Sequence, residues 1–420
     1  MQFTLKEKKI LRLASLGGML EFYDFIIYGV FSIYFAHQFF PSENSFIVIL
    51  ESYVIFALGY IVRPLGGIIF SHIGDEYGRK KVLVITMILM GIASLGIGLL
   101  PTYSQAGLFA TVSLLVLRLI QGLAVGGELP STFVYISETL PQKRGVAFSI
   151  VMTAINGGLL LGIFINYALT HLLTDHQLAQ FGWRLPFIFG GLICIISYRV
   201  RKALEETEDF IKIKNKMTFP FVHLLRNNTR QLLAGIAIVA GMSSLVVLAL
   251  VFMPTYLRLL NIDNNKISYF MVTIMIFNTI IISASGRIIQ FLNPFTFLKY
   301  TLLLCFISVP FAYLCFWYHA MLIGLLFLGF TQGCIAAVTP YILTCLFESS
   351  IRLTGVASCY NIGFTLFGGL APLIVTHIIH RGFDVYLTPV AYLLFALSIS
   401  SLGLMYVTRH KYYVDVPIMA

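Results

Sequence analysis

Residues 74–81 read Gly74-Asp75-Glu76-Tyr77-Gly78-Arg79-Lys80-Lys81 and lie between two apolar runs, 46–72 and 82–100. Each run is long enough to cross a bilayer, which takes ~20 predominantly apolar residues. A turn this short and this charged between two membrane-length runs is a specific signal, and its glycines permit the compact chain reversal. Asp75 can meet the positive end of a neighbouring helix or an arginine, so with Arg79, Lys80 and Lys81 it can latch the cytoplasmic side shut.

Outward from this turn the pattern repeats. Hydropathy divides the chain into twelve apolar runs: 12–39, 46–72, 82–100, 106–136, 145–171, 185–199, 231–259, 267–290, 297–317, 320–347, 353–379 and 386–408. Of the 420 residues 58% are hydrophobic and 11% charged, against about 25% charged in soluble domains. Barrel strands would alternate in ~10-residue segments, which these runs do not do. The expected fold is all-α: a polytopic membrane protein with twelve transmembrane helices.

A net charge of +10 could point to nucleic acid, but its distribution points to topology. With the 74–81 turn inside, 22 of the 28 Lys and Arg fall on the inner side, Lys214 and Lys216 of the long polar segment among them. Arg184, Arg258, Lys266 and Arg381 fall outside, and Arg63 and Arg118 lie within helices. This is the positive-inside bias of a protein with both termini cytoplasmic. No nucleic-acid partner is expected. The six cysteines all fall in apolar runs without metal-ligand spacing and read as small core hydrophobes. The first apolar run is too long for a signal sequence and reads as a retained helix. The loop Pro41–Ser45 after it carries no Lys or Arg.

Four charged residues stand out because the bilayer penalises them. Leu20–Gly29, LEFYDFIIYG, puts Glu21 and Asp24 three apart on one face of helix 1. Arg63, followed by Pro64, Gly66 and Gly67 in helix 2, matches Glu21 in depth. Pro64 favours a kink there, and the glycines allow a neighbouring helix close in. An Arg63–Glu21 pair is either a structural lock or a gate. Arg118, in Arg118-Leu119-Ile120-Gln121-Gly122 of helix 4, is level with Asp24 and is expected to line a cavity. Glu128, nearer the inner surface, reads as solvated or paired with the basic loop. Trp183 suits an interface belt.

Residues 199–230 mix basic residues with Glu205, Glu206, Glu208 and Asp209. They read as a cytoplasmic linker, dividing the chain into 1–200, a linker 201–230 and 231–420. Pro130, Glu138, Gly145, Ala147 and Gly158 recur 210 positions later as Pro340, Glu348, Gly355, Ala357 and Gly368. Gln121-Gly122 matches Gln332-Gly333 within one residue of that shift. Two parallel six-helix pseudo-repeats are expected, with the site at their interface. The second is the weaker copy: the turn survives as Ser285-Gly286-Arg287, and Arg118 has no basic counterpart.

The GDEYGRKK turn and RLIQGLAVGGE resemble motifs of the major facilitator superfamily. With LEFYDFIIYG, RPLGG, WRLPF and the run from Thr354 to Pro372, nearly the whole chain is similar to its metabolite:proton symporter family. That family includes bacterial inner-membrane carriers for proline and betaine, α-ketoglutarate, citrate and shikimate. The resemblance implies proton-coupled uptake of a small carboxylate-bearing metabolite by alternating access, in the inner membrane of a bacterium. Helix 5 lacks the proline of the drug/proton antiporter signature. The stretch after Thr408 is too short for the coiled-coil extension of osmosensing members. The protein is expected to be a monomeric transporter, not an enzyme, with no cofactor or metal; His377 and His380 read as solvated. An uncoupled facilitator and a transporter-like sensor are the alternatives.

Candidate residues follow. Asp24 and Glu21 are expected to carry the proton. Arg118, Arg63, Tyr23, Tyr28, Gln121, Asn156, Gln332 and Asn361 are expected to meet the substrate. Gly74, Asp75, Gly78, Arg79, Lys80, Lys81, Glu138 and Arg144 are expected to gate the cytoplasmic side. A static alternative pairs Glu21 with Arg63 and Asp24 with Arg118, leaving no group free to titrate.

Overall fold

Backbone polar groups in hydrocarbon must find partners within their own segment, which makes helices of these runs. A computed structural model describes residues 3–41, 51–52, 54–55, 58–213 and 219–413, and among them there is no strand. Lys214, Lys216 and most of the 41–45 loop lie outside the described residues.

Helix α1, Leu5–Phe39, starts seven residues before the apolar run because Thr4 and Glu7 form a capping box. Glu7 N–H donates to Thr4 Oγ1 at 3.2 Å and Thr4 N–H to Glu7 Oε2 at 2.7 Å. The second run is interrupted at Val62 and resumes as α2, Arg63–Tyr77, with Pro64 in its first turn. The kink expected at Pro64 is thus a break just before it, where the missing N–H costs no helical bond. Gly78, at φ 114°, makes the reversal into α3, Arg79–Leu99. Then follow α4 (Leu108–Thr139), α5 (Arg144–Leu172) and α6 (Arg184–Arg201). The later helices are α7 (Thr229–Val246), α8 (Asn264–Ile289), α9 (Pro294–Trp317), α10 (Met321–Cys345), α11 (Arg352–Gly363) and α12 (Leu387–His410). α7 and α11 continue through π-helical stretches, Val247–Val251 and Phe364–Gly369.

Nine of the described helices are each long and apolar enough to span a membrane, and α6 with its 42° bent lead-in makes a tenth. With α1 and the second apolar run, 46–72, added to these ten, the count matches the twelve crossings read from the sequence. Pro130 in α4 and Pro340 in α10 both lie inside their helices, and Gly145 and Gly355 both lie in the first turn of the helix that follows. The repeated positions thus fall on equivalent elements.

The chain forms two compact units, Met1–Tyr135 with Ala154–Ile211, and Ile136–Thr153 with Lys212–Ala420. In the first, Trp183 belongs to one buried cluster with Tyr28, Phe31, Phe35, Phe39 and Phe187. Trp183 is fully buried, its ring 5.3 Å from that of Phe35 and 5.5 Å from that of Phe39. This corrects the interface-belt expectation: with aromatic neighbours from α1 available, the indole is core. In the second unit α10 is buried from Thr331 to Cys345. All six cysteines are buried and outside any disulfide.

Candidate functional site: a buried charged cluster in the first unit

The cluster exists because α4 runs against α2 and the segment before it at backbone distance. A Cβ on Gly66 would lie 2.1 Å from Leu123 O, and one on Gly126 2.2 Å from Arg63 O. Only hydrogen fits at either place, as in small-residue helix contacts in membranes. Arg63 and Arg118 are thereby drawn to one cavity of about 40 Å³. Its polar lining is Glu21, Asp24, Tyr60, Arg63, Arg118 and Gln121, among Phe22, Met90 and Val125. That volume admits water, for which ~10–15 Å³ suffices, but falls well short of the ~300 Å³ of a small-ligand pocket.

Arg63 Nη2 lies 3.4 Å from Glu21 Oε1, both buried, so the depth-matched pair is present but long. Between Asp24 and Arg118 stands Gln121. Arg118 Nη1 donates to Gln121 Oε1 at 2.6 Å, and Gln121 Nε2 donates to Asp24 Oδ2 at 3.1 Å and to Ser94 Oγ at 2.9 Å. Ser94 Oγ donates to the same Asp24 Oδ2. Among the described residues neither Asp24 Oδ1 nor Glu21 Oε2 has a hydrogen-bond partner. Arg118 Cζ stands 4.0 Å from the Tyr28 ring centroid, a cation–π contact that holds the guanidinium in place.

The other expected substrate residues are placed differently. Tyr23 is buried and donates to Pro186 O at 2.9 Å, and Tyr28 donates to Ser52 O at 3.3 Å. Neither tyrosine lines the cavity, nor does Asn156, buried on α5. In the second unit Gln332 Oε1 accepts from Asn278, whose Nδ2 also donates to Gly329 O at 2.7 Å. Asn361 Nδ2 donates to Ala357 O at 2.9 Å within its own helix.

Glu128 is neither solvated nor paired with the basic loop. It is buried, 2.7 Å from Arg201 Nη1, and accepts from Thr86 Oγ1. Arg201 also donates to the carbonyls of Leu13 (3.1 Å), Leu83 (2.9 Å) and Ala14 (3.1 Å). One guanidinium thus ties the inner ends of α1, α3, α4 and α6.

Among the gating candidates, buried Asp75 Oδ1 lies 3.1 Å from Arg79 Nη1, which donates to Gly74 O at 2.8 Å. Glu206, from the segment after α6, accepts from the N–H of Arg79 at 3.1 Å and of Lys80 at 3.2 Å. It caps α3, which has no side-chain cap of its own. Burial outweighs these contacts and holds the Glu206 carboxyl above its usual range. The Lys81 ammonium sits 4.4 Å from the Tyr77 ring. In the second unit Glu138 Oε1 is 3.0 Å from Arg352 Nη1, both buried, and Arg144 Nε donates to Ser137 O at 2.9 Å. Ser94, Tyr60, Arg201, Glu206 and Arg352 had not been singled out from sequence as site or latch residues.

Comparison with known proteins agrees with this architecture. Residues 14–372 match the Major Facilitator Superfamily model. A putative proline/betaine transporter of Staphylococcus aureus strain COL is 30% identical over 415 residues, covering 96% of this chain and 88% of that protein. The glycine betaine/proline/ectoine/pipecolic acid transporter OusA of Dickeya dadantii strain 3937 is 28% identical over 94% of this chain and 82% of that protein. The proton:xylose symporter XylE bound to 6-bromo-6-deoxy-D-glucose superposes with a TM-score of 0.79 at 16% identity, covering 96% of this chain and 95% of that one. The human organic anion transporter MFSD10 gives 0.68 at 13% identity, covering 95% and 99%. Both structures attest the fold. The chain belongs to the Major Facilitator Superfamily and, within it, to the metabolite:proton symporter family that its motifs resemble: a membrane transporter of small molecules, not an enzyme.

Proposed function

We propose that the protein is a proton-coupled importer of a small zwitterion with a carboxylate and a cationic nitrogen, in the inner membrane of a bacterium, with both termini cytoplasmic and a monomeric working unit. One observation carries the reading: Asp24 is buried in a membrane helix with one carboxylate oxygen held by Ser94 and Gln121 and the other without a hydrogen-bond partner among the described residues. A bare carboxylate is costly there, and a proton on the second oxygen removes the charge. Arg118, the matching cation, is the candidate ligand of the substrate carboxylate, since its guanidinium can meet a carboxylate bidentately. Arg63, held by Glu21, is the second. The names of OusA and the staphylococcal transporters support a substrate of this class: proline, betaine, ectoine and pipecolic acid each carry a carboxylate beside a cationic nitrogen.

The cycle is alternating access between the halves 1–200 and 231–420, joined by 201–230. The cluster at Asp75, Arg79 and Glu206 and the Glu138–Arg352 pair serve as cytoplasmic latches. The roughly 40 Å³ cavity marks a closed site that must widen to admit a metabolite.

Purified protein in liposomes, given an inward proton gradient and labelled proline or glycine betaine, tests this. Wild type is expected to concentrate one of them and to stop when a proton carrier collapses the gradient. Uptake that reaches only equilibrium, with or without the gradient, would make the protein a facilitator instead.

A further inference from the structure

We propose that Gln121 is the positioning residue that couples proton and substrate, its side-chain amide transmitting the occupancy of Arg118 to Asp24. This deepens the symport reading above and rests on it. The amide's orientation follows from chemistry alone: a guanidinium has only donors and a carboxylate only acceptors, so an amide between them must turn its oxygen to Arg118 and its nitrogen to Asp24. The distances agree, 2.6 Å on the arginine side and 3.1 Å on the aspartate side.

Gln121 and Ser94 both donate to Asp24 Oδ2, so the proton's place is Oδ1. A Cβ on Gly190 of α6 would stand 3.0 Å from that atom, and its absence leaves the oxygen room. A proton on Oδ1 leaves the Oδ2 contacts intact. Nearby charged or titratable groups are Glu21, Tyr23 and Tyr28 on α1, Tyr60 and Arg63 at α2, and Cys194 on α6. Gln121 hydrogen-bonds both Arg118 and Asp24.

With the site empty of substrate, Arg118 polarises the amide and strengthens its N–H donation to anionic Asp24, because hydrogen bonds in a chain reinforce one another. A substrate carboxylate that takes Arg118 removes that support, and Asp24 accepts a proton from external water. Opening inward returns the proton to cytoplasmic water, and no other bond is made or broken. By linkage, protonation must also favour substrate binding.

The test is proline and glycine betaine affinity as a function of pH in reconstituted full-length protein. In wild type the affinity is expected to rise about tenfold from mildly alkaline to mildly acid pH, within the ~5–150-fold usual for coupled sites. Gln121→Leu is expected to bind substrate with a flat pH profile and to exchange it across the membrane without concentrating it. Gln121→Asn keeps the amide but is one methylene too short to span both partners, and is expected to behave likewise; it is the variant to use if Gln121→Leu does not fold. A wild-type pH profile in either variant overturns the assignment. Asp24→Asn separates the two levels: if it too keeps the wild-type profile, the proton-carrier reading has failed, whereas a flat profile there with a normal one in the Gln121 variants condemns only the role of Gln121.

Discussion

Gln121 and Gln332 occupy matching places in the two repeats, on α4 and α10, yet their surroundings differ in kind. Gln121 stands between a buried arginine and a buried aspartate, with Ser94 as third partner. Gln332 accepts from the neutral amide of Asn278 and has no charged neighbour among the hydrogen bonds described for it. The inner turns differ the same way. Arg79 is fully buried against Asp75, whereas Arg287, at the matching motif position in the last turn of α8, is exposed. At these matching glutamines one scaffold has been used twice, once beside buried charges and once beside a neutral amide. Intramembrane charge is expensive and kept where it has a task; the first repeat is therefore where the coupling chemistry is expected.

Substitution of the two sites should break this symmetry most visibly. Asp24→Asn is expected to lower the initial rate of gradient-driven uptake at least ~100-fold, the low end of what a positioned proton-transfer group supplies. Gln332→Leu is expected to change it less than about twofold. Equal losses in labelled-substrate uptake by the two variants would remove the distinction between the repeats.

The inner ends offer a smaller contrast, read by thermal unfolding. Arg201→Met leaves Glu128 buried without its cation and should cost ~3–5 kcal/mol, with most of that recovered by adding Glu128→Leu. Arg287→Ala removes an exposed charge and should stay within ~0.5 kcal/mol.

Glu206 gives the smallest effect, a pH dependence. Its carboxyl is held above the usual range by burial, so the fold prefers the protonated form. It contributes stability below the ordinary glutamate range and surrenders it as pH rises through the raised value. Relative to Glu206→Gln, wild type should therefore lose melting temperature as pH rises from about 4.5 toward neutrality. A constant difference between the two curves would mean that Glu206 does not titrate in the folded state.

What could be read beforehand divides by range. The twelve crossings were legible because transfer of ~20 apolar residues dominates every local preference. The capping box that lengthens α1 is four consecutive residues, Thr4 to Glu7, and needed no tertiary knowledge. The Arg63–Glu21 pair followed from matching depths in antiparallel helices. Ser94 carried no signal: it is a small residue in an apolar run, and its partner is 70 positions away. The Glu128–Arg201 pair joins opposite ends of the first repeat, and Glu206 caps a helix 127 positions before it. Trp183 was misplaced because position near a helix end says nothing of the aromatic neighbours α1 brings to it. Depth and periodicity place a residue in the membrane; which neighbour it meets is decided by packing.

Proton release or uptake on substrate addition, followed with a pH indicator in lightly buffered purified protein, bears most directly on Asp24 as the proton site. Wild type and Gln332→Leu should each take up about one proton per proline or glycine betaine bound, as linkage between the two sites requires, and Asp24→Asn none. Proton uptake by Asp24→Asn equal to that of wild type would contradict the account.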